Sequence, residues 1–526
     1  MHQPIQPIVA HDRTPASRRI QPIRRILRGS LLAPLAVAVF ASGCAVDRAG
    51  TGAEVAPNAG APAPYPVERV EPVTPVGPVT PREPNQNPFV DTREDNLSTF
   101  ALDVDTGSFT RARAQLNAGG RPSPTEVRTE EFINYLEQGY QPPAKGLNVH
   151  VDGTVVPWLE AKDTRVVRVG VQAAVTDQAA RPRAHLTFVI DVSGSMRGPD
   201  KLDLVKSALH QLVGSLRADD TVAIVVYSNN TRVVLPATEV RHADRINGVV
   251  EDLDTEGSTN AEAGLKLAYE TALKNRVDGE LNRVVLLSDG VANVGNTGPE
   301  AILETIGKAA QQQVDLVTVG FGLGSYNDEL MEQLANKGNG LHAYVDNENE
   351  ARRIFTQNLT GTLVVAARDA KAQVEFDPNQ VESYRLLGYE NRDVPDDDFR
   401  NDDVDGGELG AGHSATALYE IRLRPNAVPV RPMVTATVRY LDPDTREPIE
   451  RRAELMNIML AQSPEEADPH LHATIAAASL AEEFRGGPWA EHRTYQQIAV
   501  DAAAAARRAP DQSVRELAEV ADLATR

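Results

Sequence analysis

Short apolar runs alternate with helix-like segments between about residues 185 and 360, and this pattern restricts the fold most. A strand buried on both faces has such a run, and examples lie at 185–190, 221–227, 283–287 and 314–319. Residues 202–216 repeat apolar side chains at helical spacing. The alternation predicts right-handed crossovers and a mostly parallel sheet with helices on both faces. In such sheets, ligands bind beyond the carboxyl ends of the strands.

Three polar segments lie near the ends of these predicted strands: Asp191-Val-Ser193-Gly-Ser195, Gly257-Ser-Thr259-Asn and Ser288-Asp289-Gly. They offer carboxylates and hydroxyls, with no imidazole or thiol. An all-oxygen donor set favours Mg²⁺, with Mn²⁺ or Ca²⁺ as alternatives, and disfavours zinc. Because Mg²⁺ rarely takes all six of its oxygens from protein, we expect one position to stay open for water or for a carboxylate of a partner.

Together the three segments resemble the metal-ion-dependent adhesion site of von Willebrand factor type A (VWA) domains. Singly, each segment is common as a turn or a helix cap, so the combination carries the resemblance. It implies a Rossmann-like VWA domain at 185–360 that holds a divalent cation and captures a protein partner through that partner's carboxylate. The residues that match metal ligands of the family, directly or through water, are Asp191, Ser193, Ser195, Thr259 and Asp289.

The resemblance extends beyond this site to a group of bacterial exported VWA proteins, the YfbK-like group. The segments that carry it begin at Ser98, Tyr326, Tyr384 and Gly410. Members have a short segment before the VWA domain and a further domain of undefined role after it. The resemblance therefore implies a short, helical N-terminal segment at 91–145.

Half-buried strands are predicted on both sides of the α/β unit. Residues 146–180 and 361–460 contain stretches that alternate apolar and polar side chains. We predict one β-sandwich divided in sequence by the VWA domain. The fold class is then α/β: a doubly wound, mostly parallel VWA sheet inserted in a β-sandwich-like domain, with a helical C-terminal tail at 463–526.

Two features of the tail give more detailed expectations. Ser463-Pro-Glu-Glu466 has the residues of a helix start, and Gly486-Gly-Pro488 predicts a break that leaves two helices. His470 and His472 are two residues apart on the predicted helix, so they point to different faces. We interpret both as surface residues.

The N-terminus indicates export. Arginines between residues 18 and 28 precede about ten apolar residues, which fits a secretory signal peptide at 1–43 and is too short to span a bilayer. Ala41-Ser-Gly-Cys44 resembles the lipobox of bacterial lipoproteins, which implies a lipid on Cys44. Residues 44–90 are rich in Pro and Ala and predict an extended, disordered linker. We expect a chain anchored by lipid to a bacterial membrane and facing the periplasm or the cell exterior.

Other chemistries find little support. A net charge of −21 argues against nucleic acid as a partner, and a single cysteine excludes an intramolecular disulfide. The sequence lacks the Gly-x-Ser-x-Gly, Walker A and His-Glu-x-x-His motifs. The acidic run at 396–405 favours a solvated loop over a Ca²⁺ site. We expect a binding module rather than an enzyme, with a structural or chaperone-like envelope protein, whose metal only stabilises the VWA loops, as the alternative.

Overall fold

The computed structural model of the chain describes residues 86–526, apart from residues 103, 160–162, 258, 291–298, 323–327, 403 and 405. The predicted signal peptide, most of the predicted linker and the lipidation of Cys44 lie outside the described residues. Among the helices that the structure describes, none is long and apolar enough to cross a bilayer.

The elements follow one another in the chain as mixed strands and helices. The strands are β1 (Val90–Asp91), β2 (Leu97–Ala101), β3 (Leu147–Val155), β4 (Thr164–Ala173), β5 (Ala184–Asp191), β6 (Thr221–Tyr227), β7 (Thr231–Glu239), β8 (Leu281–Ser288), β9 (Val314–Phe321), β10 (His342–Val345), β11 (Val365–Phe376), β12 (Val381–Leu387), β13 (Gly407–Gly410), β14 (Ser414–Leu423), β15 (Pro432–Leu441) and β16 (Pro448–Met456). The helices are α1 (Gly107–Asn117), α2 (Thr129–Asn134), α3 (Leu202–Ser215), α4 (Ala243–Glu251), α5 (Ala261–Asn275), α6 (Pro299–Ala310), α7 (Asp328–Lys337), α8 (Glu348–Arg352), α9 (Leu359–Leu363), α10 (Pro469–Arg485), α11 (Tyr495–Arg508) and α12 (Gln512–Ala524).

The central sheet has the order β10-β9-β8-β5-β6-β7 and is parallel except for β7, which runs antiparallel to β6. The inner strands β5, β6, β8 and β9 are buried along nearly their whole length because both faces are covered, whereas the edge strand β7 is largely exposed. Along β5, Phe188 and Ile190 belong to one core and Val189 to the core on the opposite face. The predicted doubly wound, mostly parallel sheet is confirmed.

Two antiparallel sheets form the predicted sandwich. One has the order β1-β12-β14-β4-β3, and the other has the order β13-β11-β15-β16 with β2 added on β11. The ring of Phe376 from the second sheet stacks on Tyr384 of the first, with 4.2 Å between ring centroids. Because β4 precedes the VWA domain and pairs with β14, which follows it, the VWA domain is inserted in the sandwich, as predicted.

The segment expected to be helical at 91–145 contributes strands as well as helices. β2 pairs antiparallel with β11, and Phe100 of β2 is buried in the sandwich core. The helices α1 and α2 instead pack on the C-terminal helices, and their aromatic side chains share one core with α10, α11 and α12. The segment therefore joins the sandwich to a base made of helices.

The C-terminal tail is helical, but its details differ from expectation. The first helix begins after Asp468, whose carboxylate accepts hydrogen bonds from the main-chain nitrogens of His470 and Leu471, so the predicted start at Ser463 was wrong. The predicted break at Gly486 is confirmed, because Gly486 caps the end of α10, but the expectation of two helices was wrong, because Pro510 separates α11 from α12. His472 is 1% exposed and belongs to the interior rather than the surface.

Arg113 of α1 connects the helical base to the VWA domain. Its guanidinium binds the carboxylates of Asp346, at 2.6 Å, and Glu350, at 2.9 Å, which lie at the end of β10 and in α8. It also binds Glu516 of α12 at 2.8 Å and the hydroxyl of Tyr135 at 2.6 Å. One buried cation therefore satisfies acidic groups from two separate parts of the chain.

Glu130 of α2 gives the fold a pH dependence. Burial raises the pKa of this carboxyl to about 8, and the neighbouring carboxylates of Glu390 and Glu131 add to the rise. In the unfolded chain the same group loses its proton near pH 4.5. The contribution of Glu130 to stability is therefore fully present below that pH, and it is lost as the pH rises through about 8.

Replacing Glu130 by glutamine is expected to reduce this loss, because the amide stays neutral at every pH. Between pH 6 and pH 9 the free energy of unfolding should fall by about 2 kcal/mol less in Glu130→Gln than in the wild type. Urea unfolding at both pH values measures this difference. The control is Glu137→Gln, at an exposed position just beyond α2. Equal losses in the two variants would contradict the prediction.

Candidate metal centre

Asp191 ends β5 at the carboxyl edge of the central sheet. β6 and β8 pair with β5 on its two sides and fix its position. The side chain is fully buried. One carboxylate oxygen accepts a hydrogen bond from the main-chain nitrogen of Ser193 at 2.8 Å, and the other accepts one from the hydroxyl of Ser288 at 3.0 Å. Asp191 is thus held in one orientation by both neighbouring loops.

Hydroxyls of the same loop connect it to the end of β8. The Ser193 and Ser195 hydroxyls hydrogen bond to each other at 2.9 Å. Ser195 also donates to Oδ1 of Asp289 at 3.0 Å. The structure therefore brings four of the five predicted residues, Asp191, Ser193, Ser195 and Asp289, into one hydrogen-bonded group.

The third predicted segment lies beside this group. The nitrogen of Gly194 donates to the carbonyl of Gly257 at 3.0 Å, which joins the first loop to the one before α5. Gly257 has a φ of +34°, a backbone conformation that residues other than glycine rarely adopt. Thr259 is half-buried and directly precedes Asn260, the residue that caps α5. The fifth predicted ligand is thus on the loop that contacts the group.

The electrostatics of this group suit a cation. Burial raises the pKa of Asp191, and the nearby Asp289 carboxylate adds to the rise, while hydrogen bonds from Ser193 and Ser288 oppose it. The carboxylates of Asp191 and Asp289 repel each other, and a cation between them removes the repulsion. The donors are all hard oxygens. The residues present therefore fit Mg²⁺, Mn²⁺ or Ca²⁺.

Two further residues take part in the hydrogen bonds of the centre but were not among its predicted ligands. Ser288 donates to Asp191, and Lys201 donates through its ammonium to Oδ2 of Asp289 at 2.7 Å and to the carbonyl of Ser195 at 2.9 Å. Ser288 could have been found from its place directly before Asp289 at a strand end. The sequence signal for Lys201 is weaker: a basic residue just before a helix, where an N-cap residue such as Ser or Asp is usual.

Two carboxylates of the acidic run at 396–405 have protein partners. Asp396 accepts a hydrogen bond from the Thr99 hydroxyl at 2.5 Å, and Asp402 pairs with Arg439 at 2.5 Å. Within the described part of the chain, His, Cys, Asp and Glu side chains form no group of three or more that could hold a metal. The VWA centre differs from such a group because hydroxyls supply much of its donor set.

Comparison with known proteins supports the same architecture. Residues 185–357 match the von Willebrand factor type A domain, residues 361–525 match the family "Uncharacterized protein YfbK, C-terminal", and residues 81–168 match the family "von Willebrand factor". The chain is 33% identical to the uncharacterized protein YfbK of Escherichia coli K12 over 435 residues, which are 79% of this chain and 75% of YfbK. The chain belongs to the YfbK family of VWA proteins.

Other similarities of this YfbK-family chain cover less of it or are weaker. The uncharacterized protein sll0103 of Synechocystis is 30% identical over 214 residues, which are 41% of this chain and 50% of that protein. A von Willebrand factor type A structure from Catenulispora acidiphila aligns with a TM-score of 0.40 and 14% identity, over 73% of this chain and 91% of that one.

Membership of the YfbK family confirms the resemblance predicted from the sequence motifs. VWA domains are generally protein-interaction modules, and they commonly bind a divalent cation at the adhesion site. This chain therefore carries a domain of a type that generally mediates protein–protein interaction.

Proposed function

We propose that this YfbK-family chain is a lipid-anchored envelope protein that captures a protein partner through a divalent cation, with Mg²⁺ favoured. The proposed metal ligands, direct or through water, are Asp191, Ser193, Ser195, Thr259 and Asp289. The observation that carries the proposal is the hydrogen-bonded group of Asp191, Ser193, Ser195 and Asp289 at the carboxyl edge of the sheet.

The residues of the chain have separable roles in this proposal. Asp191 and Asp289 supply negative charge, and the hydroxyls of Ser193 and Ser195 supply neutral oxygen. Ser288 orients Asp191 by donating to it. A bound cation would offer an open coordination position to a carboxylate of the partner. The function is binding, without a chemical step, because a nucleophile with a positioned base is not part of the proposed centre.

Cation binding by the purified chain is the first test. Calorimetric titration with MgCl₂, MnCl₂ and CaCl₂ is expected to show binding to the wild type and none to Asp191→Ala. The matched control is Asp254→Ala, which removes an exposed carboxylate from the loop before Thr259 and should leave binding unchanged. Identical titrations of all three proteins would overturn the metal site.

Partner capture and anchoring are tested together in cells. Proximity labelling from the wild-type chain should mark proteins that Asp191→Ala and cation chelation both lose, while Asp254→Ala keeps them. Labelling that neither change alters, together with a cation that raises only the melting temperature, would favour the structural alternative.

Cys44→Ala should move the chain from the membrane fraction to the soluble fraction. A chain that stays in the membrane would refute the lipid anchor.

A further inference from the structure

Lys201 contacts the proposed metal centre at the same carboxylate that is proposed to hold the cation. Its ammonium donates to Oδ2 of Asp289 at 2.7 Å and to the carbonyl of Ser195 at 2.9 Å. The side chain of Lys201 is only 16% exposed and that of Asp289 only 7%. The pair is thus largely shielded from water. An ion pair in such a shielded position is stronger than one at the surface.

The position of Lys201 is unusual for a lysine. It directly precedes α3, and the amino end of a helix carries partial positive charge that disfavours a cation. Residues with a hydrogen-bond acceptor are preferred at this position, and lysine has none. The two oxygens that bind its ammonium compensate for this unfavourable placement.

The aliphatic part of Lys201 is held by the loop after β9. A Cβ atom added at Gly322 would lie 2.6 Å from both Cγ and Cε of Lys201. The absence of a side chain at Gly322 therefore leaves the room that the lysine occupies. Contacts at the ends of β5, β8 and β9 direct the ammonium toward Asp289.

We propose that Lys201 is an internal counter-ion of the metal centre, an inference that rests on the proposed function. Without a divalent cation, its ammonium neutralises Asp289 beside the buried Asp191 and limits the repulsion between the two carboxylates. With a divalent cation, two like charges meet at Asp289, so Lys201 competes with the metal. Lys201 thereby sets the cation concentration above which the chain can capture its partner.

The test compares cation affinities of variants that differ in this charge. Lys201→Met keeps the aliphatic contact with Gly322 and removes the charge, and it is expected to bind Mg²⁺ and Mn²⁺ about tenfold or more tightly than the wild type. Lys201→Arg keeps the charge and should stay within about threefold of the wild type. The control is Lys206→Met on the same helix, where the ammonium bonds only the exposed Glu251 carbonyl among the contacts the structure gives it.

A second measurement separates a counter-ion from a residue that only supports the fold. In EDTA, Lys201→Met should melt at a lower temperature than the wild type, and saturating Mg²⁺ should remove the difference. If Lys201→Met is unfolded without metal, the cation concentration that refolds it sets an upper limit on its dissociation constant. Loss of a purely structural contact would weaken or leave unchanged the binding of metal.

The outcomes for this inference and for the proposed function are distinguishable. One outcome is that the wild type binds the cation through Asp191 but Lys201→Met binds it no more tightly than Lys206→Met does. That outcome overturns the counter-ion and leaves the metal site intact. Absence of cation binding in the wild type and in every variant overturns the metal site and the counter-ion with it. Tighter binding in Lys201→Met alone supports both.

Discussion

Replacing Arg113 by alanine is expected to lower the free energy of unfolding by about 3–5 kcal/mol. The substitution removes the cation that binds Asp346, whose side chain is 3% exposed, and leaves Glu350, 2% exposed, with only the longer contact to Arg353 at 3.6 Å among the ion pairs the structure gives it. Uncompensated carboxylates in the interior are far more costly than the loss of the attraction itself. Urea unfolding at neutral pH, followed by circular dichroism, measures the change.

A surface arginine provides the comparison for this prediction. Arg452 pairs with Glu454 on β16, and the two side chains are 59% and 42% exposed. Arg452→Ala should change the stability by less than about 1 kcal/mol. If Arg113→Ala is no more harmful than Arg452→Ala, the buried connection between the helical base and the VWA domain does not stabilise the chain.

A methyl group at Gly340 is expected to be nearly as disruptive, at about 3 kcal/mol. Gly340 lies between α7 and β10, where a Cβ atom would be only 1.6 Å from the main-chain oxygen of Leu316 in β9. The obstacle is backbone of β9, a strand paired on both sides, so no side-chain rotation relieves it. Gly340→Ala must displace the start of β10 from β9, and thermal unfolding measures the cost.

A second glycine separates this effect from the general cost of a substitution. Gly248 is exposed in α4, and nothing lies within 4 Å of a Cβ atom built there. Gly248→Ala should raise the stability by about 0.5–1 kcal/mol, because alanine favours the helix. Destabilisation of similar size in both variants would show that the close approach to Leu316 is not what matters.

The VWA part of the fold was predictable because its strands are buried on both faces. Runs such as Val314–Phe321 are then mostly apolar and buried at every position, and they differ clearly from the amphipathic helices between them. Parallel connection follows from the helices between the strands. Sandwich strands such as β3 were predictable because buried and exposed positions alternate along part of them, although β4 and β14 are buried on both faces.

Elements without such a pattern were missed. β16 is an edge strand whose inward positions Ile449, Ala453 and Leu455 are interrupted by the exposed Arg451, so its apolar pattern is weak. Charged edge strands avoid unwanted pairing, and this same property conceals them from a search for apolar patterns. The third C-terminal helix was missed because the apolar helical pattern continues on both sides of Pro510, where the chain breaks.

The residues proposed to bind the cation were predictable from the sequence, but the positive charge of Lys201 beside them was not. The motif residues lie at strand ends, and the parallel sheet brings strand ends together. Lys201 enters the same group through packing over Gly322, far away in the sequence. Contacts of this kind depend on the final positions of three loops, which local patterns do not encode.

Insertion of the VWA domain in the sandwich fixes an order of events during folding. β4 is synthesised early, but its partner β14 follows the whole VWA domain, so their pairing closes a very long loop. The folded VWA domain shortens that loop by bringing its own two ends together. Arg283 donates a hydrogen bond to the carbonyl of Leu363 at the end of the domain, and Arg283 also pairs in the sheet with Leu186 near the beginning of the domain. Until then the apolar face of β4 has no partner sheet. Slow folding of the VWA domain would therefore appear as aggregation through a sandwich whose own sequence is intact.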